Sequence, residues 1–156
     1  MSKIIFRDYQ SDDCEEMAQL FYQTVHTVNA KDYSEKQLDV WADGKVDIEA
    51  WNRSFLSNIT IVAVVDHRIV GFGDMEQSGY LDRLYVHKDY QGMHVASEIG
   101  ERLEHRCEEA YGTKHFNTHA SITAKPFFEK RGYCTIREQQ VERKGILLTN
   151  FVMEKI

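Results

Sequence analysis

The 156-residue sequence is poor in the features that mark fibrous, secreted, membrane and nucleic-acid-binding chains. It has one proline, Pro126, and no Pro-, Gly- or Ser-rich tract, so nothing marks a linker or a collagen-like repeat. A single domain over residues 1–156 is therefore expected. Its three cysteines, Cys14, Cys107 and Cys134, are odd in number and far apart, which argues for reduced thiols and a cytoplasmic location. The longest largely apolar run, Ile59 to Val65, falls far short of the ~20 residues of a membrane span. Met1-Ser-Lys leads into Ile4-Ile5-Phe6 and then charges, unlike a secretory signal. Lys and Arg total 19 against 25 Asp and Glu, so the basic stripe that nucleic acid requires is lacking. The sequence contains neither G-x-x-x-x-G-K-[ST] nor G-x-S-x-G, and Gly71-Phe-Gly73 has no third glycine to complete a dinucleotide fingerprint. His115 and His119 are four apart, but on a loop and a strand, with no Cys or carboxylate grouped beside them. No metal is expected.

What is present reads as a globular chain, 42% hydrophobic and 28% charged. The net charge of −6 is uneven: residues 1–80 carry 7 basic against 14 acidic side chains, residues 81–156 carry 12 against 11. An acidic half beside a near-neutral one suits a cationic ligand on one side and an anionic one on the other, or a solvated acidic surface.

Ile4 to Arg7 reads as a strand. Ser11 can cap a helix whose apolar face is Met17, Leu20, Phe21, Val25 and Val28. Ser34 and Gln37 form a capping-box pair before a short helix with Leu38 and Trp41, and Ile48, Trp51 and Phe55 share one face of another. Three strands follow with tight turns, Ile59–Val65, Ile69–Met75 and Tyr80–Val86, an antiparallel meander. Val95, Ile99, Leu103 and Cys107 then recur every four residues along a long helix. Phe116 to His119 is a strand, Thr123 to Lys130 a short helix with Pro126 in its first turn, and Cys134–Val141 with Ile146–Met153 a final hairpin. The order predicts an α/β or α+β sheet wrapped by helices, without a βαβαβ repeat.

The stretch that carries chemistry is Leu84-Tyr85-Val86-His87-Lys88-Asp89-Tyr90-Gln91-Gly92-Met93-His94-Val95-Ala96. A strand enters a glycine-containing loop that opens directly into a helix. Such a junction can aim several backbone N–H groups and the positive helix end at a pyrophosphate, although many junctions hold a glycine for turning alone.

The run Leu84-Tyr85-Val86 with Tyr90-Gln91-Gly92 and Ala96 resembles motif A of the GNAT superfamily of N-acetyltransferases. Ala120 to Tyr133, with Phe128-Glu-Lys-Arg-Gly132-Tyr133, resembles its motif B. Lys31 to Trp41 and Leu148 to Phe151 are similar to the YafP-like branch of that family. The resemblance spans nearly the whole chain and implies a mixed, mostly antiparallel twisted sheet that splays between its fourth and fifth strands. It implies acetyl-CoA as co-substrate, paired along Leu84, Tyr85 and Val86, with its pyrophosphate on Gln91, Gly92, Met93, His94, Val95 and Ala96. Ser121, Ala124, Phe127 and Phe128 would complete the cofactor wall. The acceptor implied is a primary amine on a small molecule or an exposed amino group, attacking directly in a ternary complex.

The sequence departs from the family pattern at three places. His94 replaces a frequent glycine; at positive φ this costs about 1 kcal/mol, and at negative φ the imidazole is simply solvated. Ser121 stands where Asn is common. Phe128 stands where the family's acid, a tyrosine, is common, so Tyr133, Tyr85, Tyr22 or water must protonate the thiolate. Tyr133 is the first candidate. For the base, Asp82 shares a strand face with Leu84 and Val86 by simple alternation, followed by Glu76, His119 and His26. The losses at His94 and Phe128 also keep open a module that binds acyl-CoA without turnover. An exposed edge in the final hairpin makes a homodimer reasonable.

Overall fold

The computed structural model describes residues 3–155. Strands β1 (Ile5–Asp8), β2 (Ile59–Val65), β3 (Arg68–Met75), β4 (Tyr80–Val86), β5 (Phe116–Ser121), β6 (Cys134–Arg143) and β7 (Ile146–Lys155) form one sheet in the order β1-β2-β3-β4-β5-β7-β6. All neighbours are antiparallel except β4 and β5, which run parallel. Helices α1 (Cys14–Thr27), α2 (Glu35–Trp41) and α3 (Ile48–Ser57) cover one face, and α4 (Val95–Tyr111) with α5 (Lys125–Lys130) the other. This mixed α/β architecture is the one the sequence implies.

The two faces follow from strand alternation. Ile61, Ala63 and Val65 of β2 join the α4 cluster, while Val62 and Val64 join the α1–α3 cluster. The four-residue stripe of α4 is fully buried: Val95, Ile99, Leu103 and Cys107 are all at most 2% exposed. Each large apolar side chain there contributes about 2 kcal/mol of burial. The helix can lie this close because β3 presents Gly71 and Gly73. A Cβ on Gly73 would stand 2.9 Å from Ile99 Cγ2 and 3.0 Å from Leu84 Cδ1.

The Ser34–Gln37 capping box forms, with Gln37 N–H donating to Ser34 Oγ at 3.2 Å and Ser34 N–H to Gln37 Oε1 at 2.8 Å. Ser11 is not the cap of α1. It lies inside a 3-10 turn, Ser11–Asp13, that Gln10 opens, and Asp13 reaches back to Gln10 N–H at 2.9 Å. The hairpin turns Asp66-His67 and Lys144-Gly145 place both central residues at positive φ, the two-residue form that suits strand twist. The last hairpin runs two residues further on each strand than its apolar pattern predicts: β6 pairs on to Arg143–Ile146 at the turn, and the far end of β7 pairs with β5 as far as Phe116–Lys155. No helix among the described residues is long and apolar enough to cross a membrane.

Candidate active site

The sheet is held together at its centre by very little. β4 and β5 pair only through Tyr80–Asn117 and Leu81–Thr118, sealed by Thr118 Oγ1–H donating to Leu81 O at 2.8 Å. Beyond Leu81 each strand keeps its outer partner: β4 stays on β3 as far as Val86–Gly71, and β5 stays on β7 as far as Ser121–Asn150. The strands therefore diverge, leaving the inner edge of β4 without a partner strand. His87 N–H donates to Val70 O at 2.8 Å, so by antiparallel alternation Tyr85 bonds toward β3 while Leu84 and Val86 turn their backbone groups into the opening. The Val86 carbonyl accepts Gln91 Nε2–H at 2.6 Å, which pins the following loop to the strand end. The opening is a cleft of about 170 Å³. Leu84, Val86, Ala96, Ala124, Phe127 and Phe128 wall one part of it, and Thr24, Asp82, Tyr85, His119 and Ser121 another.

Past Val86 a 3-10 turn (Lys88–Tyr90) leads to Gly92 at φ +74° and His94 at φ +63°. A Cβ at Gly92 would meet nothing, so conformation and not crowding selects glycine there. His94 occupies the left-handed region as the N-cap of α4 and makes no side-chain bond to the first turn. The N–H groups of that turn thus lack a protein cap and lie along a groove shared by Gln91, Gly92, Val95, Ala96, Ser97 and Phe127. Lys130 and Arg131 border the same groove. Arg131 is held by Glu104 at 2.9 Å and by Ser97 O at 3.3 Å, whereas Lys130 is exposed and has no ion pair among the described residues. Met93 alone of the expected loop residues lines neither groove nor cleft; its side chain is 43% exposed.

On the α1–α3 face, Tyr85 packs edge-on to Phe21 at 5.0 Å and against Phe72 at 5.8 Å, and burial pushes its hydroxyl well above the usual tyrosine range. Asp82 lies in the cleft, but not by the alternation expected of it. A bulge opposite Asp74 and Met75 makes it the extra residue of β4, so Leu81 and Leu84 both reach the α4 cluster and Asp82 sits beside Arg83, Oδ2 to Nη2 3.4 Å. Arg83 itself is committed to the fully buried Asp74 through two N–H bonds of 3.1 and 2.7 Å, and its guanidinium lies 4.2 Å from the Phe55 ring centre. Burial pushes the Asp74 carboxyl up; Arg83 and the Asn58 amide pull it back. Asp82 keeps one carboxylate edge for the cleft. Thr24 of α1, 4% exposed, turns into the cleft wall with its Oγ1 buried and unpartnered.

Tyr133 does not reach the cleft. Its hydroxyl donates to Glu104 Oε2 at 2.6 Å, and burial followed by that carboxylate raises it far above the range of a useful proton donor. The ring is 2% exposed behind Phe128, where Glu104 also binds Lys155 at 2.7 Å. Tyr133 ties α4 to the segment between α5 and β6, and its hydroxyl is turned away from the cleft in which it was expected. Ser121 lines the cleft, but its Oγ accepts Ala124 N–H at 3.0 Å at the start of α5. Of the other candidate groups, His119 lines the cleft, whereas Glu76 lies in the β3–β4 turn beside Cys107. His26 is hydrogen-bonded to Ala42 O at 2.7 Å and stacked on Tyr22 at 4.2 Å. Thr24, Lys130 and Ser97 were not singled out from the sequence. Among the described residues no group of three or more His, Cys, Asp or Glu could hold a metal ion.

A family model described as an acetyltransferase (GNAT) domain matches residues 29–155. The chain is 33% identical over 153 residues to the uncharacterized N-acetyltransferase YafP of Escherichia coli strain K12, covering 98% of this chain and 96% of that protein. Among solved structures, a GCN5-related N-acetyltransferase from Rhodopseudomonas palustris superposes with a TM-score of 0.91 at 32% identity, covering 99% of this chain and 96% of the other. The PaiA N-acetyltransferase of Thermoplasma acidophilum, solved in complex with coenzyme A, shares the fold at a TM-score of 0.79 and 18% identity over 98% of both chains.

Proposed function

Since the chain belongs to the GNAT acetyltransferase family, whose members are acyltransferases using acetyl-CoA, we propose that it transfers the acetyl group to a primary amine by direct attack in a ternary complex. The observation that carries this reading is the opened sheet: an unpaired β4 edge leads straight into a left-handed loop with uncapped N–H groups. A pantetheine arm carries amides that can hydrogen-bond to the free backbone groups of Leu84 as an added strand would. The pyrophosphate fits the groove of Gly92, His94, Val95 and Ala96, with Lys130 supplying charge. Phe127 and Phe128 wall the pantetheine side.

In this reading the amine enters from the Thr24 and Asp82 side. Its nitrogen attacks the thioester carbon, the C–N bond forms, and the oxyanion is met by the Val86 N–H. Because an alkyl amine with a pKa near ~10.4 arrives protonated at neutral pH, it first gives one proton to Asp82, directly or through a water, to free the attacking lone pair, and the second nitrogen proton passes to solvent as the tetrahedral intermediate collapses. The C–S bond then breaks, and the thiolate leaves and takes a proton from water. Phe128 offers no hydroxyl and Tyr133 is bound to Glu104, which supports water as the donor. A thiol near ~8.5 is a good enough leaving group for that.

The test is thiol release from acetyl-CoA against a panel of primary amines, with acetyl-CoA binding followed by calorimetry. Amine-dependent release supports the transferase. Tight acetyl-CoA binding without release from any amine supports instead a module that binds acyl-CoA without turnover, a reading that the buried Phe128 favours.

A further inference from the structure

Beside the main cleft, and sharing His119 and Ser121 with it, lies a smaller pocket built from parts distant in the chain. Tyr33 and Trp41 form its aromatic side, edge to face at 5.1 Å. Tyr33 is fixed there, donating to Thr149 O at 2.6 Å and accepting Ile122 N–H at 2.9 Å. Two polar features of this pocket are unused by the fold. The Asn150 Oδ1 is shielded from solvent and has no hydrogen-bond partner. Arg143, at the end of β6, lines the pocket without an ion pair among the described residues, whereas the adjacent Lys144 is engaged by Asp43 at 3.1 Å. Arg143 is exposed overall and gives part of its side chain to the pocket wall.

Resting on the acetyltransferase reading, we propose that the acceptor is an aminocarboxylate, a primary amine whose far end carries a carboxylate bound by Arg143. A planar guanidinium with free N–H groups matches a carboxylate in a two-bond fork, which a lysine or a neutral wall would not reproduce. Asp82 and the unpartnered Thr24 Oγ1 receive the amine end in the adjoining cleft, and Asn150 Oδ1 of the smaller pocket accepts from a donor along the body of the molecule. The acidic half of the sequence draws in the ammonium at long range, and Arg143 selects for the opposite charge at short range. A zwitterion satisfies both.

The probes are γ-aminobutyrate, δ-aminovalerate and n-butylamine as acceptors, with γ-acetamidobutyrate as a product whose binding needs no turnover. The intact protein should favour an aminocarboxylate over n-butylamine by about tenfold or more in kcat/KM. Arg143→Gln should bring the two within about twofold, through KM for the aminocarboxylate and not kcat. Arg143→Lys should restore part of the preference. Calorimetric binding of γ-acetamidobutyrate to the protein with CoA, lost in Arg143→Gln, supports the proposal even if no amine is turned over. No preference for the carboxylate acceptors, or product binding that Arg143→Gln leaves unchanged, overturns it. Acetyl-CoA affinity, measured alongside, reports separately on the transferase reading.

Discussion

Single side chains decide which groups act and which only hold. Asp82→Asn removes the one carboxylate in the cleft, and kcat should fall by about a hundredfold, the size of a lost general base, while acetyl-CoA affinity measured by calorimetry stays within error. Tyr133→Phe should do the reverse. It deletes a hydrogen bond to the charged Glu104, costs about 2 kcal/mol and lowers the melting temperature by several degrees, with kcat unaltered. The turn at Gly92 and the helix start at Val95 were legible because backbone conformation is a local property of a strand–glycine–helix junction. The surroundings of Tyr133 and Asp82 were not. The first was displaced from the cleft by a partner, Glu104, twenty-nine residues away in the chain, and the second was rotated by a bulge that alternation along one strand does not foresee.

At the scale of elements, helix α4 depends on the bareness of β3. Gly73→Ala would press its Cβ to 2.9 Å from Ile99 Cγ2 and 3.1 Å from the Arg83 carbonyl, one of them backbone that does not yield. The substitution should cost about 1–3 kcal/mol, read as a lower denaturant midpoint with an unchanged slope. The every-fourth-residue stripe of α4, the Ser34 box and the three-strand meander were legible, since each is written in a single periodic segment. The insertion of β7 between β5 and β6 was not. Neither was the smaller pocket beside the cleft, which gathers Tyr33, Trp41, His119, Arg143 and Asn150 from five separate elements or their connections. No local pattern encodes that meeting; it exists only once the sheet order is set.

For the molecule as a whole, five tyrosines tie stability to alkaline pH. Burial, the leading cause at each, raises the hydroxyls of Tyr9, Tyr33, Tyr85 and Tyr133, and Tyr80 is pushed up to about 12. The unfolded chain ionises these groups near ~10, while the folded chain retains their protons. Their contribution is therefore complete below about pH 10 and is lost as pH rises toward and through the folded values. Urea unfolding followed by tyrosine absorbance should show a midpoint that is flat from neutrality to about pH 9 and declines steeply above about 10.

The two residue pairs that join β4 to β5 also set how the protein breathes. The strands β5, β7 and β6 can open as a unit against the rest while breaking few main-chain bonds, so their amides should exchange with deuterated solvent sooner than those of β2 and β3. In the proposed binding mode acetyl-CoA would lie across the seam and take the place of the missing pairing. At a hundred times its dissociation constant it should slow that exchange by about a hundredfold, and protection should be greatest in Phe116–Ser121. Uniform protection across the sheet would show that the seam is not where the molecule first comes apart.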